Sequence, residues 1–515
     1  MPNWWDKRWG FSGGKKNNPR GGGGSSGGGT GGRGPGRGRG RGRGGGASGS
    51  DGNSSVSTTT LGSGTSFEWD LTGYDEAIFV LNDLSLSGTD IVRIQFRRQS
   101  DATWETGANT YRWTAVSQGS GVTPTQDTGI DAIAYNAANG TSHMVYRFAN
   151  FSVAAPTTVQ GRTWSNSGTI RHGFVQDANI HDRVRLIVEG AATFTGGTAY
   201  VTLRKTSPTV ETFNMTSSPA STVSGTPTSG SYCTDVIGLA LGNASSSTHR
   251  MRIDGDTTSD YNYSFVTSTG TDDVTGNAQF FAFTNHAATS GQNVFATVWG
   301  MKSAAPVVAE NCTLSNSLAE TFVMYKDDAT VNNTIEIYSP TAVNINAGTI
   351  YFVHHNRVVE DLDTGTTFTT EASYTASGLG TKDCVVMVAP DLSHTASDTL
   401  TFQVSNGSFK TTSGDYETSN FSGSASAAGA DASIFDSDSV GGSPFNNDIV
   451  AVFYNVKRPG MPTCCLMAGE MADAETAPRA WGGYETTAAT TTAIRADTVG
   501  ASTLDGGTMY VYSST

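Results

Sequence analysis

Cysteine, proline and charge are all in short supply in this 515-residue chain: five cysteines, 15 prolines, and only 15% Asp, Glu, Lys and Arg. The cysteines (Cys233, Cys312, Cys384, Cys464 and Cys465) are odd in number, and no CxxC spacing occurs. A disulfide framework is therefore not expected, and folding in a reducing compartment is. The adjacent Cys464 and Cys465 are expected on opposite faces of one strand. No His/Cys pair has zinc-ligand spacing, so neither a metal site nor a cofactor is expected. No run of about 18 apolar residues occurs, which excludes a membrane-spanning helix. The N-terminus, MPNWWDKRWGF, lacks an apolar h-region, so no secretion signal is expected. The Asn-X-Ser/Thr sequons at Asn139, Asn150, Asn214 and Asn243 are read accordingly as by-products of composition. GxSxG, HExxH and Walker patterns are missing. Without a nucleophile motif or an assignable acid/base carboxylate pair, no catalytic residue is expected and the chain is read as non-enzymatic.

What the chain has in abundance is Thr, Ser, Ala, Asn and Gly, with 63 glycines. That usage disfavours long exposed helices and favours short strands joined by tight turns. The formal net charge of −14 hides an asymmetry. Residues 1–60 carry ten Lys/Arg and two Asp, or +8, so the remainder carries −22. An acidic body is a poor general binder of nucleic acid. Residues 1–19 gather Trp4, Trp5, Trp9 and Phe11, whereas residues 20–57 are a Gly/Arg-rich tract without an apolar anchor. The tract cannot offset its own conformational entropy and is expected to be a disordered tether. A Gly-rich coil of that length spans about 35 Å. The aromatic segment has no core of its own, and leaving it in water forgoes about 2 kcal/mol per Trp. It is expected to anchor the chain in a groove on a partner.

From about residue 60 the texture becomes strands and turns, and three signals recur in one order. The first is an apolar hairpin, AIFVLNDLSLSGTDIVRIQF from Ala77, VIGLALGNASSSTHRMRID from Val236 and CVVMVAPDLSHTASDTLTFQV from Cys384. The second is a mid-module strand, DAIAYN at Asp131, NAQFFAFTN at Asn277 and NDIVAVFYN at Asn447. The third is a closing hairpin with a glycine before its last strand, at Gly197, Gly348 and Gly507. A period of about 150 residues predicts β-sandwich modules at 58–207, 208–357 and 358–515. The expected fold is thus all-β: three tandem jelly-roll or Greek-key-like β-sandwich modules after a disordered Gly/Arg-rich N-terminal tail. The intramodular tryptophans Trp69, Trp104, Trp113, Trp164, Trp299 and Trp481 are read as core packing rather than as sugar-stacking platforms.

The first module's WDLTGYDEAIFVLNDLSLSGTDIVRIQFRRQSDATWETGANTYRW resembles a module of tailed-bacteriophage structural proteins. Tyr74-Asp75 opens an apolar strand at Ile78–Leu81, a polar turn leads to Ile91–Arg97, and a Gly-containing stretch ends at Tyr111. The resemblance covers about 140 residues well and the other copies loosely, and it transfers no catalytic residue. It implies a virion protein of tail-fibre or head-fibre type, assembled in the bacterial cytoplasm. It would be held to other virion proteins by Trp4, Trp5, Trp9 and Phe11 and would display a homo-oligomeric rod of modules to a host-surface glycan or protein, without membrane insertion. A capsid decoration protein, a polysaccharide-degrading virion enzyme and a nucleic-acid-binding protein are the alternatives.

The remaining candidates for chemistry are sparse. Arg33, Arg37, Arg39, Arg41 and Arg43 form an RG tract that could contact nucleic acid or an acidic surface. The tract lacks interleaved Phe or Tyr, so a cationic tether is the preferred reading. Asp254, Asp256 and Asp260 hint at calcium, but the Glu and further oxygens of an EF-hand loop are absent, and a polar turn is expected. Glu360, Asp361 and Asp363 are read as an acidic turn between modules, and His354-His355 as one side chain in and one out.

Overall fold

The structure, a computed structural model, describes residues 52–515 apart from 118–119, 122–124, 166–167, 244–247, 259–260, 268–271, 279–280, 283–290, 315–318, 327, 396–397, 423–424, 437–446 and 472–476. Trp4, Trp5, Trp9, Phe11 and the five arginines of the RG tract lie outside the described residues, as do Asp260 and the side chain of Trp481. Everything described falls within the unit Gly42–Thr515.

Six antiparallel sheets form, three large and three four-stranded, and they alternate with one strand order. In the first large sheet Ser54–Thr60 lies beside Phe194–Arg204, followed by Glu76–Leu86, Ser142–Ala149, Thr158–Trp164, Gly168–Val175, Tyr111–Ser117 and Ser120–Gly121. Its four-stranded companion runs Ser66–Asp70, His181–Val188, Asp90–Arg98, Ile130–Tyr135. The second pair of sheets, from Thr209 to Asn356, and the third, from Val359 to Ser514, repeat both orders strand for strand. Each pair encloses its own apolar cluster, around Phe79, Phe96 and Phe148 in the first, Ile253, Ile337 and Phe352 in the second, and Phe402, Phe453 and Ile494 in the third. This is an all-β sandwich architecture. Two single-turn 3-10 segments are the sole helical elements among the described residues.

Five sequence expectations need correction. The recurring apolar hairpins are arches: Glu76–Leu86 lies in the large sheet and Asp90–Arg98 in the small one, and the two never pair. The closing hairpins are arches as well, since His181–Val188 and Phe194–Arg204 belong to different sheets. Alternation along a strand says which side chains share a face, not which neighbour supplies the hydrogen bonds. The third mid-module match is also misplaced. Ile130–Tyr135 and Phe281–Ala282 sit at the edges of small sheets, as Phe435–Asp436 does in the third pair, whereas Asn447–Tyr454 is a central strand of a large sheet. Strand begins at Ser54, inside the stretch expected to be tether. Finally, Glu360, Asp361 and Asp363 lie on the strand Val359–Thr367 rather than in a turn, with Asp361 accepting from Ser303 Oγ at 2.6 Å.

The recurring glycines have a steric cause. Gly197, Gly348 and Gly507 take φ of 113°, 90° and 86°, each opposite a bulge whose left-handed residue is Asp83, Ala240 or Asp391. A Cβ on Gly197 would stand 2.8 Å from Leu84 Cα, and one on Gly507 2.7 Å from Leu392 Cα, so a side chain has no room there.

Candidate functional site

The three large sheets meet one another. Val307–Leu314 touches Tyr111–Ser117, Gly168–Val175 touches Tyr416–Ser422, and Asp272–Ala278 touches Ala477–Glu485. An extended rod of modules is therefore excluded for residues 52–515. The outer faces of the large sheets are instead the walls of a common interior. Along Glu76–Leu86 the side chains of Ala77, Phe79 and Leu81 enter the sandwich core, while Ile78 and Val80 enter the shared interior. Val385 and Met387 alternate with Val386 and Val388 in the same way, and Cys465 alternates with Cys464. A strand covered on both faces favours apolar residues at successive positions, which is why these strands read as hydrophobic runs. All five cysteines are buried and none forms a disulfide, and burial pushes the Cys384 thiol up to about 12.

Trp164 and Trp299 belong to this interior, and Trp69 and Trp113 to the first sandwich core. Trp164 stacks on His143, whose Nδ1 lies 2.8 Å from Tyr484 Oη. Tyr484 in turn donates to Asn82 Oδ1 at 2.7 Å, joining the third pair of sheets to the first. Trp104 is half-buried, with the Arg185 guanidinium 4.1 Å from its ring centroid.

Ionised groups are buried where the sheets meet. Arg147, fully buried, donates through Nε to Glu76 Oε1 at 2.7 Å and through Nη1 to Asp235 Oδ1 at 3.1 Å. Arg204 Nη1 lies 2.8 Å from Glu76 Oε2. Tyr232 donates to Glu76 at 2.6 Å, and Thr297 to Asp235 at 2.8 Å. His355 Nε2 stands 3.2 Å from Asp235 Oδ2. Two guanidiniums thus face two carboxylates from different sheet pairs. Burial pushes Glu76 up, but Arg204 and Arg147 outweigh it and hold the carboxyl at about 2. Burial likewise opposes Arg147 at Asp235, which the arginine holds well below the usual carboxylate range. In a second knot Glu310 accepts from Arg162 at 2.7 Å and from Gln160, with His172 Nε2 3.1 Å away. Burial raises Glu310, and Arg162 and His172 bring it down to about 2. In a third, Asp383 joins Arg458 at 2.6 Å and Arg357, while Arg357 Nε donates to the Thr515 carbonyl at 3.0 Å.

Apart from His355, sequence reasoning missed these residues. Their one visible signal is a charge inside an apolar strand, as Arg147 stands in SHMVYRFA and Asp235 in SYCTDVIGLAL. The other candidates resolve simply. Asp254 accepts the N–H groups of Asn333 and Thr334, and Asp256 those of Thr258 and Lys326, as a polar turn does. His354 and His355 point to opposite faces, but both are buried, His354 against Glu211 at 2.9 Å. A cavity in the shared interior, among Trp299, Val308, Val452 and Tyr454, has room for about one water.

No family model and no curated protein matches the chain. Among solved structures, a crystal structure of the STIV MCP overlays 59% of this chain and 97% of its own, at 12% identity and a TM-score of 0.16. The atomic structure of Sulfolobus turreted icosahedral virus overlays 57% and 91%, at 11% identity and a TM-score of 0.13. Both are viral proteins, and neither overlay is close enough to bear on this chain's fold or role.

Proposed function

We propose that this chain is a non-enzymatic structural protein of a bacteriophage virion, anchored by residues 1–19 and presenting its sandwiches for attachment to a host-surface glycan or protein. One observation carries the reading: three sheet pairs in a single chain turn their broadest faces inward and close them with buried ion pairs. Aromatic and charged side chains that could line a cleft are consumed in holding the sandwiches together, as expected of a building element. The resemblance of the first module to tailed-phage structural proteins points the same way. What remains for contact with partners is the outer surface and the N-terminal segment. The aromatic cluster of that segment suits an interface pocket, and the Gly/Arg tract supplies reach more than contact energy.

The test is incorporation into particles. Replacing Trp4, Trp5 and Trp9 by Ala should leave a folded protein that no longer co-purifies with particles. Changing Arg33, Arg37, Arg39, Arg41 and Arg43 to Ser should leave docking intact and alter only its salt dependence. Normal incorporation of the triple Trp variant would refute the anchor. Loss of incorporation on Arg-to-Ser exchange alone would replace it with an electrostatic clamp on an acidic surface or nucleic acid.

A further inference from the structure

The first sheet pair holds a cluster that its own folding does not require. His181, at the start of His181–Val188, has a fully buried side chain and places Nδ1 2.8 Å from Thr157 Oγ1. Its Nε2 has no hydrogen-bond partner. That nitrogen points at two carboxylates, with Glu105 Oε1 at 3.8 Å and Asp177 Oδ1 at 3.9 Å, both beyond hydrogen-bond range. A buried side-chain nitrogen without a hydrogen-bond partner is costly, and this one faces two carboxylate oxygens. Arg98 grips both oxygens of Glu105, with Nε on Oε1 at 2.9 Å and Nη2 on Oε2 at 3.1 Å, and Asn179 Nδ2 also donates to Oε1 at 3.4 Å.

The other two sheet pairs act as internal controls. The N–H of His181 donates to the Phe151 carbonyl, and that same bond is made by Asn332 to Met301 and by Thr491 to Val456. Thr491 also keeps the side-chain bond, to Thr463 Oγ1 at 2.7 Å, where His181 meets Thr157. The fold needs only a small polar residue at this position. Histidine beside two carboxylates is peculiar to the first pair.

We propose that Glu105, Asp177 and His181 bind a divalent transition cation of the zinc class. All three ligand atoms lie within 4.8 Å of one another. A tetrahedral cation with bonds of about 2.1 Å sets its ligand atoms roughly 3.4 Å apart, so His181 must approach each carboxylate by about half an ångström and the two carboxylates each other by up to about 1.4 Å, within reach of side-chain rotation. Thr157 fixes the imidazole so that Nε2 is the ligand nitrogen, and Arg98 orients Glu105, the arrangement of outer partners usual for metal-bound His and carboxylate. A fourth position is left for water. The cation would tie the 99–109 loop to the turn before His181–Val188. An imidazole ligand favours zinc, cobalt or nickel over magnesium and calcium.

Metal-stripped full-length protein is titrated with Zn2+ by calorimetry and with Co2+ by visible absorption. One equivalent is expected to bind, unaffected by excess Mg2+ or Ca2+, and zinc should slow hydrogen exchange in residues 99–109 and 176–181. His181→Thr copies the solution at Thr491 and should stay folded, with affinity down at least tenfold. Asp177→Asn, at a half-exposed position, should weaken binding to a similar degree. The proposal is overturned if no stoichiometric zinc binds. It is equally overturned if both variants bind as the parent does, which would leave an ion-pair cluster only.

Discussion

Replacing Arg147 by Met is the most direct way to learn what the shared interior contributes. The guanidinium is fully buried and joins Glu76 of the first sheet pair to Asp235 of the second. After the substitution Glu76 keeps Arg204 and Tyr232, but Asp235 is left with His355, Thr297, Asn150 and Thr158 and no guanidinium. A buried carboxylate stripped of its cation costs about 3–5 kcal/mol. The loss should depend on pH in a defined sense. In the parent, Asp235 lies below its ordinary value and stabilises the fold above that value. Without Arg147, burial dominates and the folded carboxyl rises above its unfolded value. The folded variant then gains a proton more readily than the unfolded chain, so its deficit is largest near neutrality and shrinks as the pH falls toward about 4. Adding Asp235→Asn removes the stranded charge and should restore about 1 kcal/mol or more over the single variant. Urea denaturation across pH measures the loss, and hydrogen exchange in Glu76–Leu86, Ser142–Ala149 and Ser231–Asn243 locates it. A single variant within about 1 kcal/mol of the parent at neutral pH, or a double variant less stable than the single, would refute the argument.

Two further predictions concern the wild-type fold. Glu76 and Glu310 sit at about 2 in the folded protein against an ordinary 4.5, so each contributes stability that is complete above about pH 4.5 and lost as the pH falls toward 2. At about 1.4 kcal/mol per unit this is roughly 3 kcal/mol each, and urea midpoints that stay flat from about pH 5 to 2 would contradict it. The buried hydroxyls of Tyr111, Tyr261 and Tyr416 accept the N–H groups of Phe96, Ile253 and Val404 at 2.8, 3.0 and 2.9 Å, one cross-sheet bond in each pair. Each Tyr→Phe exchange leaves a buried N–H unpartnered and should cost about 1–3 kcal/mol. Denaturation midpoints unchanged in all three would show that water or a backbone shift replaces the hydroxyl.

The sequence by itself determined the class of the fold and much of its local detail. Scarce helix formers and short apolar runs between turn residues specify strands, and the low-complexity tract marks where they begin to within a few residues. Gly197, Gly348 and Gly507 were visible as a repeat because only glycine tolerates their backbone and the strand pressed against it. The opposite facing of Cys464 and Cys465 follows from the two-residue period of any strand. Tertiary structure alone decided what each face meets. The run AIFVL at Ala77 reads as a hairpin arm, yet its two faces serve the first sandwich core and the interior shared with the other sheet pairs. Arg147 and Asp235 lie in different sheet pairs, and neither has a local feature that names the other. Hydrophobic periodicity is a property of one strand and can be read residue by residue. Burial of a charge and of a second face depends on chain segments that arrive from far along the sequence, so those pairings exist only once the three large sheets have closed on one another.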